Sequence, residues 1–168
     1  HYARRHGVQT AIDLDYRPVL WGLTSLGDGE TRFIADEQVT AQLQEVLGLF
    51  DLIVGTEEEF HIAGGSTDTI AALRKVRELT GAVLVCKRGP LGCSVFTDAI
   101  PATLDEGITV QGVRVAVLNV LGAGDAFMSG LLRGYLRGES WEQACAYANA
   151  CGALVVSRHG CAPAMPTA

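Results

Sequence analysis

Four consecutive residues, Gly122-Ala-Gly-Asp125, carry the strongest chemical signal in this sequence. Two glycines let the backbone approach a ligand closely, and successive amides at the start of a helix form a ready site for an anion such as a phosphate. A carboxylate placed directly after those amides could accept the proton of an attacking hydroxyl while the amides balance charge developing on a transferred phosphoryl group. The same residues also suit a tight turn in which Asp125 only complements the helix dipole. Taken by itself, the motif leaves both meanings open.

The elements around it must place polar groups at strand ends. Thr10-Ala-Ile-Asp-Leu-Asp15 reads as a strand that empties into Tyr16-Arg-Pro-Val-Leu-Trp21, where Pro18 removes a ladder donor. Residues 36–48 have helical spacing (Val39, Leu43, Val46, Leu47), and the short apolar strand Leu52-Ile-Val54 runs into Gly55-Thr-Glu-Glu-Glu59. Those glutamates equally suit the start of a helix, where acids are favoured. A helix following Ser66 has Ile70, Leu73, Val76 and Leu79 in register and Gly81 as its stop. Ala82-Val-Leu-Val-Cys86 is a continuous apolar run, as expected of a strand covered on both faces, and it opens into Lys87-Arg-Gly-Pro-Leu-Gly92. Lys87 and Arg88 also fit a pair of solvated loop charges. Cys93–Phe96 and the alternating stretch 108–117 read as further strands, antiparallel and at an edge. Gly122–Asp125 opens a helix to about Arg137, and a last helix from Trp141 keeps Ala144, Cys145, Ala148, Cys151 and Val155 on one face. Strand and helix signals alternate, so the expectation is an α/β sheet with helices on both faces and ligands beyond the carboxyl ends of the strands.

Composition narrows the function classes. The 168 residues are enough for one domain, and with 48% hydrophobic and 19% charged residues the chain is far from disordered. Nineteen acids against thirteen Lys and Arg give a net charge of −6 with no basic block, which argues against nucleic acid and for a small-molecule partner. No apolar stretch approaches a membrane span. The opening His1–Gly7 lacks the pattern of a secretory leader and the sequence does not begin with Met, so a processed or truncated piece is expected. Five dispersed cysteines without a C-x-x-C pair argue against a disulfide framework or a zinc site and fit a reducing cytoplasm. His6, His61 and His159 have no Cys or His partner at ligand spacing, and no metal is assigned to them.

Asn119-Val-Leu-Gly-Ala-Gly-Asp125-Ala-Phe-Met-Ser-Gly-Leu-Leu132 resembles the C-terminal signature of the ribokinase, or PfkB, family of carbohydrate kinases. The resemblance implies that Asp125 is the catalytic base and that the amides of Gly122, Ala123 and Gly124 form the anion hole. Other segments match in family order. Asp13-Leu-Asp-Tyr-Arg17 is similar to the family's D-x-N-x-R stretch, with Asp15 where Asn is usual, and implies substrate contacts for Asp13 and Arg17. Thr56-Glu-Glu-Glu59 stands where the family has N-x-x-E, which implies a nucleotide-side position for Thr56 and Mg2+ held through water by Glu59. Lys87-Arg-Gly89-Pro-Leu-Gly92 resembles the glycine turn beside the nucleotide, implicating Lys87, Gly89 and Gly92. Tyr147-Ala-Asn149, with Ser157-Arg-His-Gly160, resembles the adenine-side helix and the loop after it, implicating Asn149.

Two departures stand out. Thr56 keeps a hydroxyl but lacks the usual amide, and Asn119 replaces the commoner Asp, removing a charge that in relatives helps hold a monovalent cation. Family members are roughly double this length, and their sugar-binding glycine pair and lid strands belong to the N-terminal half. The resemblance therefore implies one partial domain over residues 1–168: the C-terminal, nucleotide-binding half of a three-layer α/β/α ribokinase-like fold. Its sheet would be mostly parallel, with a β-hairpin at one edge. An uncovered sheet edge would favour self-association as a homo-oligomer.

Within the family, Val54–Thr69 together with Asp15–Trp21 is most similar to the branch acting on 5-dehydro-2-deoxygluconate in inositol catabolism. The implied activity is transfer of the γ-phosphoryl of ATP to a primary hydroxyl of that sugar acid or a related one, with Mg2+ and a monovalent cation as candidate cofactors. The alternatives are another kinase of the family, for 2-keto-3-deoxygluconate or fructose, and a non-catalytic nucleotide-binding fragment.

Overall fold

Apolar runs without helical spacing become strands, and each of the three parallel ones is followed by a polar cluster. The computed structural model describes residues 1–24 and 33–166. The described residues fall into two units, His1–Lys87 with Phe96–Gly107, and Arg88–Val95 with Ile108–Ala168.

In the first unit a single turn, α1 (Tyr2–Arg5), leads to three parallel strands, β1 (Ala11–Asp13), β2 (Leu52–Thr56) and β3 (Val83–Lys87). The register pairs Asp13 with Val54, and Thr56 with Lys87, so the carboxyl ends of neighbouring strands deliver their polar residues to one side. Helices α2 (Glu37–Leu47), α3 (Glu57–Gly64) and α4 (Thr69–Leu79) connect and cover the strands. Leu47, Ile53, Phe60, Leu73, Val76, Leu84 and Cys86 are fully buried in one cluster, as a sheet covered by helices requires.

Local chemistry sets the helix starts. Asp36 Oδ1 accepts from Gln38 N and Val39 N at 2.9 and 3.0 Å, and Asp68 Oδ1 accepts from Ala71 N at 2.7 Å. The cap of α4 is thus Asp68, two residues beyond the expected Ser66. Glu57–Glu59 form the first turn of α3, which begins directly at the end of β2. Gly64 lets α3 and α4 close together, because a Cβ there would stand 2.5 Å from Ala72 Cα.

The second unit holds an antiparallel pair, β4 (Cys93–Phe96) and β5 (Ile108–Val110), and two long helices, α5 (Ala123–Leu136) and α6 (Trp141–Val156). The strand expected over 108–117 ends at Val110. Its partner sets that limit: Val110 pairs with Cys93, the first residue of β4, and Gly92 before it turns away at φ +96° with Val110 O packed against its Cα. Beyond Val110, Val113, Val115, Val117 and Leu118 alternate like a strand but lie exposed outside one. The helices α5 and α6 approach through small residues, since a Cβ on Gly130 would lie 2.8 Å from Ala148 Cα and one on Gly134 2.5 Å from Ala144 Cβ. Among the described residues no helix is long and apolar enough to cross a membrane.

Parallel strands alternating with helices, plus an antiparallel pair, give the α/β class expected from the sequence. The segment 97–107 that joins β4 to β5 makes this pair a wide connection instead of a tight two-residue turn.

Candidate active site

The first unit gathers four of the expected residues at its strand ends. Asp13 closes β1, Thr56 closes β2 and Lys87 closes β3. The Lys87 ammonium donates to Asp13 Oδ1 at 2.7 Å and lies 3.8 Å from Glu59 Oε2. The three side chains retain only 12%, 20% and 14% of their exposure, so Lys87 is a neutralising partner of two half-buried acids and not a solvated loop charge.

Glu59 is held by a reciprocal cap. Thr56 Oγ1 accepts from Glu59 N at 3.2 Å while Glu59 Oε2 accepts from Thr56 N at 2.7 Å. Thr56, placed on the nucleotide side by resemblance, therefore uses its hydroxyl within the chain to start α3. Burial pushes the Glu59 carboxyl above its ordinary pKa, against the lowering effects of Lys87 and of the Thr56 N–H, and Asp13 and Asp15 push it further up. Its Oε1 has no protein partner among the described residues. An oxygen of this kind can accept from a metal-bound water, the way in which a single carboxylate commonly serves Mg2+.

Arg17 lies beyond β1 and is fastened to Asp15 by two contacts, Nη2 to Oδ1 at 3.1 Å and Nε to Oδ2 at 3.2 Å. Both side chains are more than half exposed, so the pair orients the guanidinium more than it stabilises the fold. Asp15 itself has φ +34°, a left-handed geometry that Asn and Asp tolerate better than other side chains, and this explains how an acid can replace the family's Asn there.

The second unit carries the glycine loop. Gly122 caps α5 in the left-handed region at φ +83° and ψ 1°, which turns the chain so that the next amides point out along the helix axis. Ala123 N reaches Val120 O at 3.3 Å, and Ala126 N bonds Gly122 O at 3.0 Å. The amides of Gly124 and Asp125 between them have no acceptor among the described residues. The Asp125 carboxylate is exposed and has no side-chain partner among them; only its backbone carbonyl is engaged, by Ser129 Oγ at 2.8 Å. An acid and two donor amides thus share the first turn of a fourteen-residue helix.

Other expected residues of this unit serve its shape. Gly89 and Gly92 take φ +55° and +96° around a one-turn 3-10 helix, closed by Arg88 N on Gly92 O at 2.8 Å. Asn149, nearly buried, donates its amide to Val110 O and Gln111 O at 3.1 Å each, holding the exit of β5. Two relationships emerge only in the folded chain: the Lys87–Asp13 pair, and Asn119, whose side chain bridges the loop after α6 to the residue before Gly122. A T-x-x-E pattern before Phe60 is a visible signal for the cap at Thr56, whereas the Lys87–Asp13 pair and the bonds from Asn119 Nδ2 to Arg158 O and Gly160 O cross long sequence separations and leave no local trace.

Comparison with known proteins points the same way. A family described as pfkB family carbohydrate kinase matches residues 30–168. A curated relative called 5-dehydro-2-deoxygluconokinase, from Listeria innocua, is 32% identical over 173 residues, covering 100% of this chain and 47% of its own length. A relative of the same name from Bacillus subtilis is 29% identical, over 99% of this chain and 47% of its own. Among solved structures, aminoimidazole riboside kinase from Salmonella enterica, complexed with aminoimidazole riboside and an ATP analog, superposes with a TM-score of 0.74 at 25% identity. It covers 97% of this chain and 50% of that one. Fructokinase from Vibrio cholerae O395, bound to fructose, ADP and calcium ion, gives 0.75 at 25% identity over 98% and 49%. The chain spans about half the length of the curated relatives it matches.

Proposed function

The chain belongs to the pfkB family of carbohydrate kinases, and from that premise we propose that it forms the nucleotide-binding, phosphoryl-transferring half of an ATP-dependent sugar kinase. The observation that carries this reading is the first turn of α5, where the carboxylate of Asp125 and the acceptor-free amides of Gly124 and Asp125 stand together. The substrate proposed is 5-dehydro-2-deoxygluconate or a related sugar acid, supported by the names of the relatives at about 30% identity over the whole chain.

In the proposed reaction a primary hydroxyl of the sugar gives its proton to a carboxylate oxygen of Asp125 as its oxygen bonds the γ-phosphorus, and the bond from that phosphorus to the ADP oxygen breaks. Of the amides of this turn, those of Gly124 and Asp125 are free to receive the phosphoryl oxygens, and that of Ala123 would join them on leaving Val120 O; the positive end of α5 also favours their negative charge. Little covalent work falls to the protein in such a transfer, so placement of the hydroxyl against the phosphate dominates. Mg2+, when bound with ATP, neutralises phosphate charge; Glu59 would face its water shell, kept in place by Thr56 and Lys87. Arg17, pre-oriented by Asp15, is the proposed partner of the sugar's carboxylate, and Asp13 of its hydroxyls.

A second reading has one specific observation in its favour. Because the chain spans about half of its relatives' length, a nucleotide-binding module without a sugar site of its own is the alternative. The test is product identification: incubate the protein with ATP, Mg2+ and, separately, 5-dehydro-2-deoxygluconate, 2-keto-3-deoxygluconate and fructose, and follow sugar phosphate by phosphorus NMR. Preferential phosphorylation of the first is expected. A preference for either other sugar replaces the substrate, and ADP binding without phosphorylation of any of them favours the module.

A further inference from the structure

Asn119 uses almost all of its bonding capacity on one junction. Its Nδ2 donates to Arg158 O at 2.8 Å and Gly160 O at 3.3 Å, and its Oδ1 accepts from Leu121 N at 2.8 Å. The partners dictate which end of the amide is which, since carbonyls can only accept and a backbone N–H can only donate. The backbone reinforces the junction, with Leu118 N and Asn119 N both directed at Val156 O, at 2.7 and 3.3 Å. Directly beyond Leu121, the loop after α6 is packed on Gly122: a Cβ there would stand 2.5 Å from Cys161 Sγ and 3.2 Å from Met165 Cε. Asn119 therefore laces the 158–160 loop to the chain that enters the Gly122–Asp125 turn.

An aspartate at this position would have nearly the same shape and the opposite chemistry. It would set a carboxylate oxygen against two carbonyl oxygens, three acceptors and a net negative charge with no proton between them. Such an all-oxygen corner is a cation site. Carbonyl and carboxylate oxygens without a preformed octahedron suit a large, weakly hydrated monovalent ion better than Mg2+, which keeps its own waters. The two N–H groups of Asn119 occupy the place where that ion would be needed.

We propose that Asn119 is a positioning residue for the Gly122–Asp125 loop, and that its amide serves in place of a bound monovalent cation, making the loop independent of K+. The inference rests on Gly122–Asp125 being the phosphoryl loop, so its test is read first by stability, which needs no phosphoryl transfer. Thermal unfolding of the protein at its native length is compared in KCl and in choline chloride at equal ionic strength, for wild type, Asn119→Asp and Asn119→Ala. Wild type should unfold at one temperature in both salts. Asn119→Asp should lose about 4 °C in choline chloride, the order expected for two hydrogen bonds, and recover it in KCl, whereas Asn119→Ala should lose as much in both. Calorimetric ADP binding should follow the same pattern, which a merely structural role for Asn119 would not produce. A wild-type melting temperature or ADP affinity that rises with K+ overturns the proposal, as does an Asn119→Asp protein indifferent to K+. If Asn119→Asp does not fold in choline chloride, folding on addition of KCl supports the proposal and failure to fold in both salts counts against it. Loss of sugar phosphorylation with the salt pattern intact would instead overturn the functional reading and leave this one standing.

Discussion

The Lys87 ammonium and the Asp13 carboxylate meet at 2.7 Å across 74 residues of sequence, joining the carboxyl end of β3 to that of β1. Glu59 lies on the other side of the same ammonium, at 3.8 Å. One cation at the end of β3 therefore balances two acids, one from β1 and one from α3, and this part of the proposed site depends on it electrostatically.

Lys87→Met should leave both carboxylates half-buried and uncompensated, at a cost of about 3 kcal/mol in urea unfolding. Asp13→Asn should cost less by itself, because Lys87 still faces Glu59. The double variant should fall well short of the sum of the two, and strict additivity would show that the pair is not coupled.

Glu59 supplies a pH dependence whose sign is set by burial. Its folded pKa is raised, so the folded state holds a proton more readily than the unfolded one. The stability this contributes is fully present below the unfolded carboxyl range and is lost as pH rises through the elevated folded value. Glu59→Gln retains the ability to cap Thr56 N and cannot titrate. Urea midpoints measured against pH should fall less steeply for Glu59→Gln than for wild type in that interval, and parallel curves would contradict the assignment.

Gly130 tests helix packing against helix propensity. Alanine is favoured over glycine inside a helix by about 1 kcal/mol, so a solvent-facing Gly130→Ala would stabilise. Here the new methyl would stand 2.8 Å from Ala148 Cα and 2.9 Å from Tyr147 O, backbone atoms of α6 that cannot rotate away. The expected outcome is a net loss of about 1–3 kcal/mol in chemical denaturation, and a gain in stability would mean that the helices are farther apart.

These contrasts show where the sequence is informative. Regular spacing in 70–79, the apolar run of β3 and the Gly122–Asp125 start of α5 are local features, and each became the element expected. The stretch after Ile108 misled because Val113, Val115 and Val117 alternate like a strand, while the strand that could pair with it begins only at Cys93. Asp13, Thr56, Glu59 and Lys87 could be picked out one by one, but that three of them form an ion-paired group follows from parallel register, which no local pattern encodes. Asn149 was noticed for its place on the last helix, and its amide turns out to hold the end of β5.

Asp125→Asn separates a catalytic acid from a helix-capping charge. If Asp125 merely complements the dipole of α5, its neutral isostere should cost a few tenths to about 1 kcal/mol of stability and leave any phosphoryl transfer intact. If it receives the proton of the attacking hydroxyl, the amides of Gly124 and Asp125 remain in place for the phosphate, so ADP affinity should hold while kcat falls about a hundredfold to ten-thousandfold. The two readings thus predict opposite patterns, stability without turnover loss or turnover loss without weakened ADP binding. Calorimetry with ADP, thermal unfolding and the sugar-phosphate assay on the same preparation distinguish them, and unchanged kcat in an active kinase would remove Asp125 from the mechanism.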